Sequence, residues 1–345
     1  MGVFSKAAIV CFVFLLGCFV SFTQPLANQL IGVLPLTNQR EIPQDDWVGF
    51  YIQSRLQSYL TESLSAEFYP PETLRLWYHR SKNRGSVSKK NTVILTGSFQ
   101  KVLQIGIIDI EVKRILPEKT SRRFKTQIDW SNVTKELDTL FHQISVWIDP
   151  KAKAVQNLKH PQFDSEPFKV SMEFRKELFF SGKTPEVQAV ARMKTMVNHN
   201  SHPETVGDFA AAMIMLTENL LLNEKKSFLT SLEQLLRSTA MNHPKNARIH
   251  ALLAAVFYLN HQEPGWVLAT SSKALEVNPH NSLALLMQIV TSESPDSDIK
   301  ADVDKLYEIN PWIWPRSGMT EMDVRFFNGV FDNDLQKIIE KAKDK

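Results

Sequence analysis

Two hydrophobic periodicities divide this chain. Over the first part, short apolar runs alternate with one long helical pattern. Leu30–Leu36 (LIGVLPL) is an uninterrupted apolar run closed by Pro35 and predicts a buried strand. Asn38–Asp46 is polar and contains Pro43, which predicts a loop. Val48, Tyr51, Ile52, Leu56, Tyr59 and Leu60 then recur at helical spacing, so Trp47–Ser63 predicts a helix with Asp46 as its cap and Asp45 complementing its dipole. Thr73–His79 alternates like a strand, and Arg80–Lys90 follows as a basic, serine-rich loop. Thr92–Gln100 and Gly106–Leu116 predict two strands joined by a hairpin through Lys101–Ile105, and Phe124–Trp130 predicts another. Ser131 or Asn132 caps a helix over Val133–Ile148, whose apolar face is Leu137, Leu140, Phe141, Ile144 and Trp147. This order predicts an α/β sandwich over residues 28–149, followed by a polar linker over 150–167.

From Phe168 onward the β-branched strands vanish, and helical segments punctuated by proline take over. Lys273–Pro279 (KALEVNP) recurs as Lys305–Pro311 (KLYEINP), with a fainter echo in Ser238–Pro244 (STAMNHP). Pro244, Pro279 and Pro311 fall at intervals near the roughly 34 residues of a tetratricopeptide repeat. Within Arg248–Asn281, small Ala254 and Ala255 permit close helix approach. Tyr258 fills the large position, Ala274 the second small one, and Pro279 closes the unit. Phe168–Val197, Val206–Thr239 and Leu283–Asn310 read as further pairs, and Met322–Ile339 as a cap. One such pair cannot bury its apolar face alone, so an all-α solenoid over 168–345 is expected.

The succession LIGVLPLTN at Leu30–Asn38, a helix, then VILTGSF at Val93–Phe99 and a strand to Leu116 resembles the TolB-like amino-terminal domain. Leu36 stands where that family usually has an aromatic residue after the proline. The resemblance covers Ile31–Ile148. It implies an α/β domain often followed by tetratricopeptide repeats, as in exported bacterial proteins and the periplasmic portions of CadC-like regulators. It also implies partner binding, and it carries no catalytic motif.

The amino terminus bears on location. Ala7–Phe22 is an unbroken apolar run after one positive charge, shorter than the roughly 20 residues of a spanning helix. It fits a secretory signal over residues 1–23. Leu15–Cys18 (LLGC) also resembles a lipobox, with Cys18 as the acylated residue. Cleavage near Thr23, lipidation at Cys18 and retention as an anchor all stay open. A periplasmic place, with or without a membrane tether, is the expectation. Both cysteines, Cys11 and Cys18, lie in this segment, so a mature chain cut after it would have no thiol chemistry.

Charge and motifs narrow the chemistry. The 345 residues are 43% apolar and 22% charged, as in globular chains, and the net charge of +3 is too small to argue for nucleic acid. The sequence has no GxSxG, HExxH, CxxC or GxxxxGK[ST] pattern, and Gly97-Ser98 sits inside a strand. No enzyme, metal or cofactor is expected. His199 and His202 have no acidic or cysteine co-ligand beside them, and His243, His261 and His280 mark repeat ends. Arg80, Lys82, Arg84, Lys89 and Lys90, with Arg122 and Arg123, form a candidate basic patch for an acidic partner or membrane surface. Arg248, His250, Tyr258 and Gln288 are the candidate lining of a partner groove. The expectation is an envelope protein that binds other proteins; the alternative is a sensory module binding a small ligand at the domain junction.

Overall fold

The computed structural model describes residues 30–64, 67–69, 92–115, 119–158, 160–163, 165–181, 187–198, 201–217, 222–292, 301–306 and 331. Cys18, the strand expected over Thr73–His79, the loop from Arg80 to Lys90, and Trp312, Trp314, Phe326 and Phe327 lie outside the described residues.

The chain forms a mixed sheet followed by helices. Strand β1 (Leu30–Val33) lies between β3 (Glu67–Phe68) and β4 (Thr92–Val102), parallel to both. Flanked on both edges and covered on both faces, it reads as a continuous apolar run. The two-residue β2 (Thr37–Asn38) also pairs with β4. Strands β4, β5 (Ile105–Arg114) and β6 (Thr120–Asp129) form an antiparallel meander. Its first turn is the tight Leu103-Gln104 pair, and Leu103 sits there in the left-handed region at φ 55°.

Helix α1 (Trp47–Ser63) has the bounds the periodicity predicts. It is buried nearly all round because β1, α2 (Val133–Ile148) and α3 (Glu166–Ser181) surround it. Its buried polar groups therefore need partners. Gln53 Nε2 donates to Val33 O at 2.7 Å, and Arg55 donates to both Asp138 oxygens of α2 at 2.8 and 2.9 Å. Gly49 is required where α1 meets the chain leaving β1, since an added Cβ would stand 2.0 Å from Leu36 O. Asp46 occupies the cap position without capping. Its carboxylate instead accepts from Asn38 Nδ2 at 3.1 Å and pairs with Lys176 of α3 at 2.9 Å. The cap of α2 likewise differs from expectation. A 3-10 turn at Trp130–Asn132 precedes the helix, so Asp129 receives Ser131 N–H, and Glu136 reaches back to Asp129 N–H at 2.9 Å.

The expected linker is packed structure. Phe163 stacks on Trp130 at 5.3 Å and meets Trp47 and Tyr51 at 5.0 and 4.8 Å. His160 stands edge-on to Tyr51 and Phe168. Its polar spacing conceals two aromatic anchors, and about 1.5–3 kcal/mol accompanies burial of a side chain such as Phe168. Helix α3 then serves two cores: Phe168 and Met172 join the α/β core, while Val170 and Phe174 join the helical one.

Helices α4 (Val187–Met196), α5 (Pro203–Leu216), α6 (Leu222–Asn242), α7 (Ala247–Leu259), α8 (Pro264–Val277) and α9 (Ser282–Thr291) follow. Consecutive helices pack as α3–α4, α5–α6 and α7–α8, and each first helix also touches the next first helix. The second helix of each pair contacts the pair that follows. Ala254 and Ala255 are completely buried, as expected where helices approach closely. Among the described residues no helix is long and apolar enough to cross a membrane.

Candidate partner-binding groove

A groove of about 910 Å³ opens between the carboxyl-terminal part of α6, one face of α7, and α8. Asn246 starts α7 by accepting Ile249 N–H at 3.1 Å. His261 ends it in the left-handed region, at φ 53°, and Pro264 opens α8 after a short turn. This tight reversal brings Trp266, in the first turn of α8, edge-on to Phe257 of α7 at 6.0 Å.

Arg237 of α6 organises the pair. Its guanidinium carbon lies 4.4 Å from the Phe257 ring centre and 4.9 Å from that of Trp266. Its Nε donates to Glu233 at 2.9 Å, and the other Glu233 oxygen accepts Asn260 Nδ2 at 3.0 Å. Glu233 thus ties α6 to the end of α7, and the cation is fixed before anything binds. The indole is nevertheless 51% exposed, beside Met241 at 76% and Val277 at 43%. Glu263, Lys273 and Glu276 supply charge around this apolar strip. The groove thus presents aromatic and apolar surface rimmed by mixed charge.

Of the four residues expected to line a groove, His250 lines this one, and its Nε2 lies 2.9 Å from Pro244 O. Tyr258 packs on Phe331 at 5.9 Å, and Gln288 Nε2 donates to Ser272 Oγ at 2.9 Å. Arg248 Nη1 donates to Asp208 at 2.9 Å and lies 3.7 Å from Glu204. These residues sit on first helices, whose polar positions meet neighbouring pairs. The opening lies mainly against second helices. Sequence reasoning missed Arg237, Met241 and Trp266; the available signal was a tryptophan directly after the Pro264-Gly265 helix start.

Arg248 belongs instead to a buried ionic cluster with Arg175, Glu204 and Asp208. Arg175 donates through Nη2 to Glu204 at 2.5 Å and through Nε to Asp208, which also accepts from Ser171 Oγ. Burial alone would raise the Glu204 carboxyl, but the Arg175 and Arg248 guanidiniums overcome it and hold the group at about 2. Beside this cluster, burial above all, with His202 and Arg55 nearby, pushes His160 down to about 3. His202 caps α5 by accepting Glu204 N–H at 3.3 Å, and its ring lies 5.8 Å from that of His160. Arg122 and Arg123 are exposed on β6, where Arg123 pairs with Asp109 at 2.8 Å. Gly97 faces Ile110 in unbroken register, and an added Cβ would lie 2.3 Å from Asp109 O, so close packing explains it.

The chain matches no protein-family model and no curated protein.

Proposed function

We propose that this protein is an exported, non-enzymatic binding protein of the bacterial cell envelope. In this reading a TolB-like α/β portion carries a tetratricopeptide-like stack of helix pairs. The stack captures an apolar segment of a partner protein in the groove between α6, α7 and α8. The observation that supports the reading is Trp266: a half-exposed indole fixed by Arg237 and Phe257, with exposed Met241 and Val277 around it. Preorganised aromatic residues of this kind carry most of the energy of protein interfaces.

The test is site-specific photocrosslinking in the source cell, with the photoreactive residue at Met241 and, as control, at exposed Lys226. A partner adduct formed from position 241, absent from 226 and lost on Trp266→Ala, is the expected result. Equal labelling at both positions, or an adduct indifferent to Trp266→Ala, overturns the groove as the binding site.

A second reading, a sensor of small ligands, draws on a different concavity of about 710 Å³ beside the junction. It includes Arg55, Asp138 and His142, and the His142 Nδ1 is buried without a hydrogen-bond partner. A saturable thermal shift with a metabolite set, lost on His142→Ala, would favour it over the first.

A further inference from the structure

Strand β6 ends the sheet: among the described residues it pairs with β5 on one side and with no strand on the other. Its register against β5 is unbroken from Ile105↔Asp129 to Arg114↔Thr120, with no bulge. Alternate residues of an antiparallel edge strand turn N–H and C=O outward, so this edge is a regular row of donors and acceptors. Proteins disarm such an edge by shortening it, bulging it or placing charged side chains along it; β6 is neither short nor bulged, and only the last device is present, in Arg122, Arg123 and Lys125.

The side chains state what would fit. On the face turned from the helices, β5 presents Asp109 and Glu111, and β6 presents Lys125 and Arg123 directly opposite them. At these two pairs charge is acidic on β5 and basic on β6, and Lys113, farther along β5, is paired with Glu111 at 2.9 Å. A third strand continuing the alternation is acidic, because like charges directly opposite are destabilising. A second copy of β6 in a register that sets Arg123 against Lys125 meets the same repulsion. Arg123 keeps 73% of its side chain exposed although it pairs with Asp109, so one side of it remains open to a neighbour. Arg122 lies over the Phe124 ring at 5.2 Å, on the other face, where it meets the alternate residues of an added strand.

We propose that the β6 edge accepts an extended acidic segment of a partner protein by strand addition, with carboxylates at alternate positions beside Arg123 and Lys125. Acidic lipid headgroups would use the cations alone. A strand uses the cations together with the open backbone row, and the unbroken register is what distinguishes the two. This site is separate from the groove at Trp266, and either can fail without the other.

Hydrogen exchange on the full chain tests the proposal. The probe is a capped peptide of alternating threonine and glutamate, with its threonine–glutamine counterpart as control. With the acidic peptide at about ten times its dissociation constant, exchange of the outward β6 amides slows about tenfold. Protection is confined to Thr120–Asp129, vanishes with the glutamine peptide, and is lost in Arg123→Glu/Lys125→Glu. These residues are exposed, and an unchanged melting curve establishes that the variant is folded. Absent or displaced protection, or equal protection by both peptides, overturns the proposal. Two further results also overturn it: charge-dependent binding of phosphatidylglycerol vesicles without β6 protection, or protection arising from self-association in sedimentation.

Discussion

The Asp208 carboxylate of α5 receives the Arg175 Nε–H of α3 between its two oxygens, at 2.7 and 2.6 Å, with 1% of its side chain exposed. Arg248 of α7 approaches the same carboxylate at 2.9 Å, so one buried acid joins three successive first helices. Two guanidiniums are desolvated here, and Glu204 is the only other acid against them in the described ion pairs. Asp208→Asn keeps the volume and removes the charge, leaving excess positive charge in the interior. The expected loss is about 3–5 kcal/mol, read from chemical denaturation. Arg123→Ala, which breaks an exposed pair, changes stability by less than about 1 kcal/mol.

His160 gives the fold a defined acid sensitivity. Its imidazole is held at about 3 in the folded chain by burial, against an ordinary value of 6.5. Between these values the unfolded chain binds a proton that the folded chain does not. Stability therefore falls as pH drops from 6.5 toward 3, by at most about 1.4 kcal/mol per pH unit for one group. Glu204 acts lower, since its contribution is present above its unfolded value near 4.5 and is lost as pH falls toward 2. Melting temperature measured against pH should therefore decline already above pH 5 in the native chain. His160→Phe, which retains ring packing beside Tyr51 and Phe168, flattens that upper part and leaves the lower part in place. An unchanged slope between pH 6.5 and 5 would show that His160 is not its source.

The α/β elements were legible because their periodicities are uncompromised. α1 and α2 have the expected bounds, and the turn between β4 and β5 falls inside the expected Lys101–Ile105 link, whereas β6 begins at Thr120, ahead of the expected Phe124, and the two-residue β2 and β3 are too short to leave a pattern. The caps were less legible: Asp46 has partners, Asn38 and Lys176, that only the folded chain supplies, whereas Asp129 makes a local bond to Ser131 N–H just ahead of the expected cap. The role of Arg248 was hidden by distance: its acid lies in α5, and helical spacing does not say which polar position meets another helix. Asp208 within the apolar stretch VGDFAAAMIML was the readable warning, because a lone acid on an otherwise buried helix requires a cation. Trp266 was passed over because its exposure depends on how three helices meet, not on its own helix.

Gly49 and Leu103 place opposite demands on the backbone. At Gly49 the space is filled by the Leu36 carbonyl, 2.0 Å from where a Cβ would stand. Gly49→Ala must push α1 away from the chain leaving β1, and it should cost about 2–3 kcal/mol in denaturant unfolding. At Leu103 the side chain is 88% exposed and the backbone holds φ 55°, which a residue with a Cβ adopts at a cost of roughly 1–2 kcal/mol. Glycine relieves that strain and gives back part of it as unfolded-chain entropy. Leu103→Gly should therefore stabilise the chain by about 0.5–1 kcal/mol. A loss of stability there would mean that the apolar tip makes a favourable contact within the fold.

The proposal of an envelope protein rests on the apolar segment Ala7–Phe22, and intact mass tests it most directly. A chain exported and cut near Thr23 has the same mature mass in the native form and in Cys18→Ala. Acylation at Cys18 gives a mass raised by a diacylglyceryl and an acyl group, fractionating with membranes, and the substitution abolishes both effects. A full-length chain in the membrane fraction identifies the segment as a retained anchor. Each outcome assigns the groove at Trp266 and the β6 edge to a different reach: free, tethered by lipid, or held by a helix. A single acyl chain gives only marginal membrane binding, whereas the multiple chains of a lipoprotein hold it stably. A full-length chain recovered from the cytoplasm with its amino terminus intact would overturn the envelope assignment, while leaving the groove and the strand edge to be tested on their own.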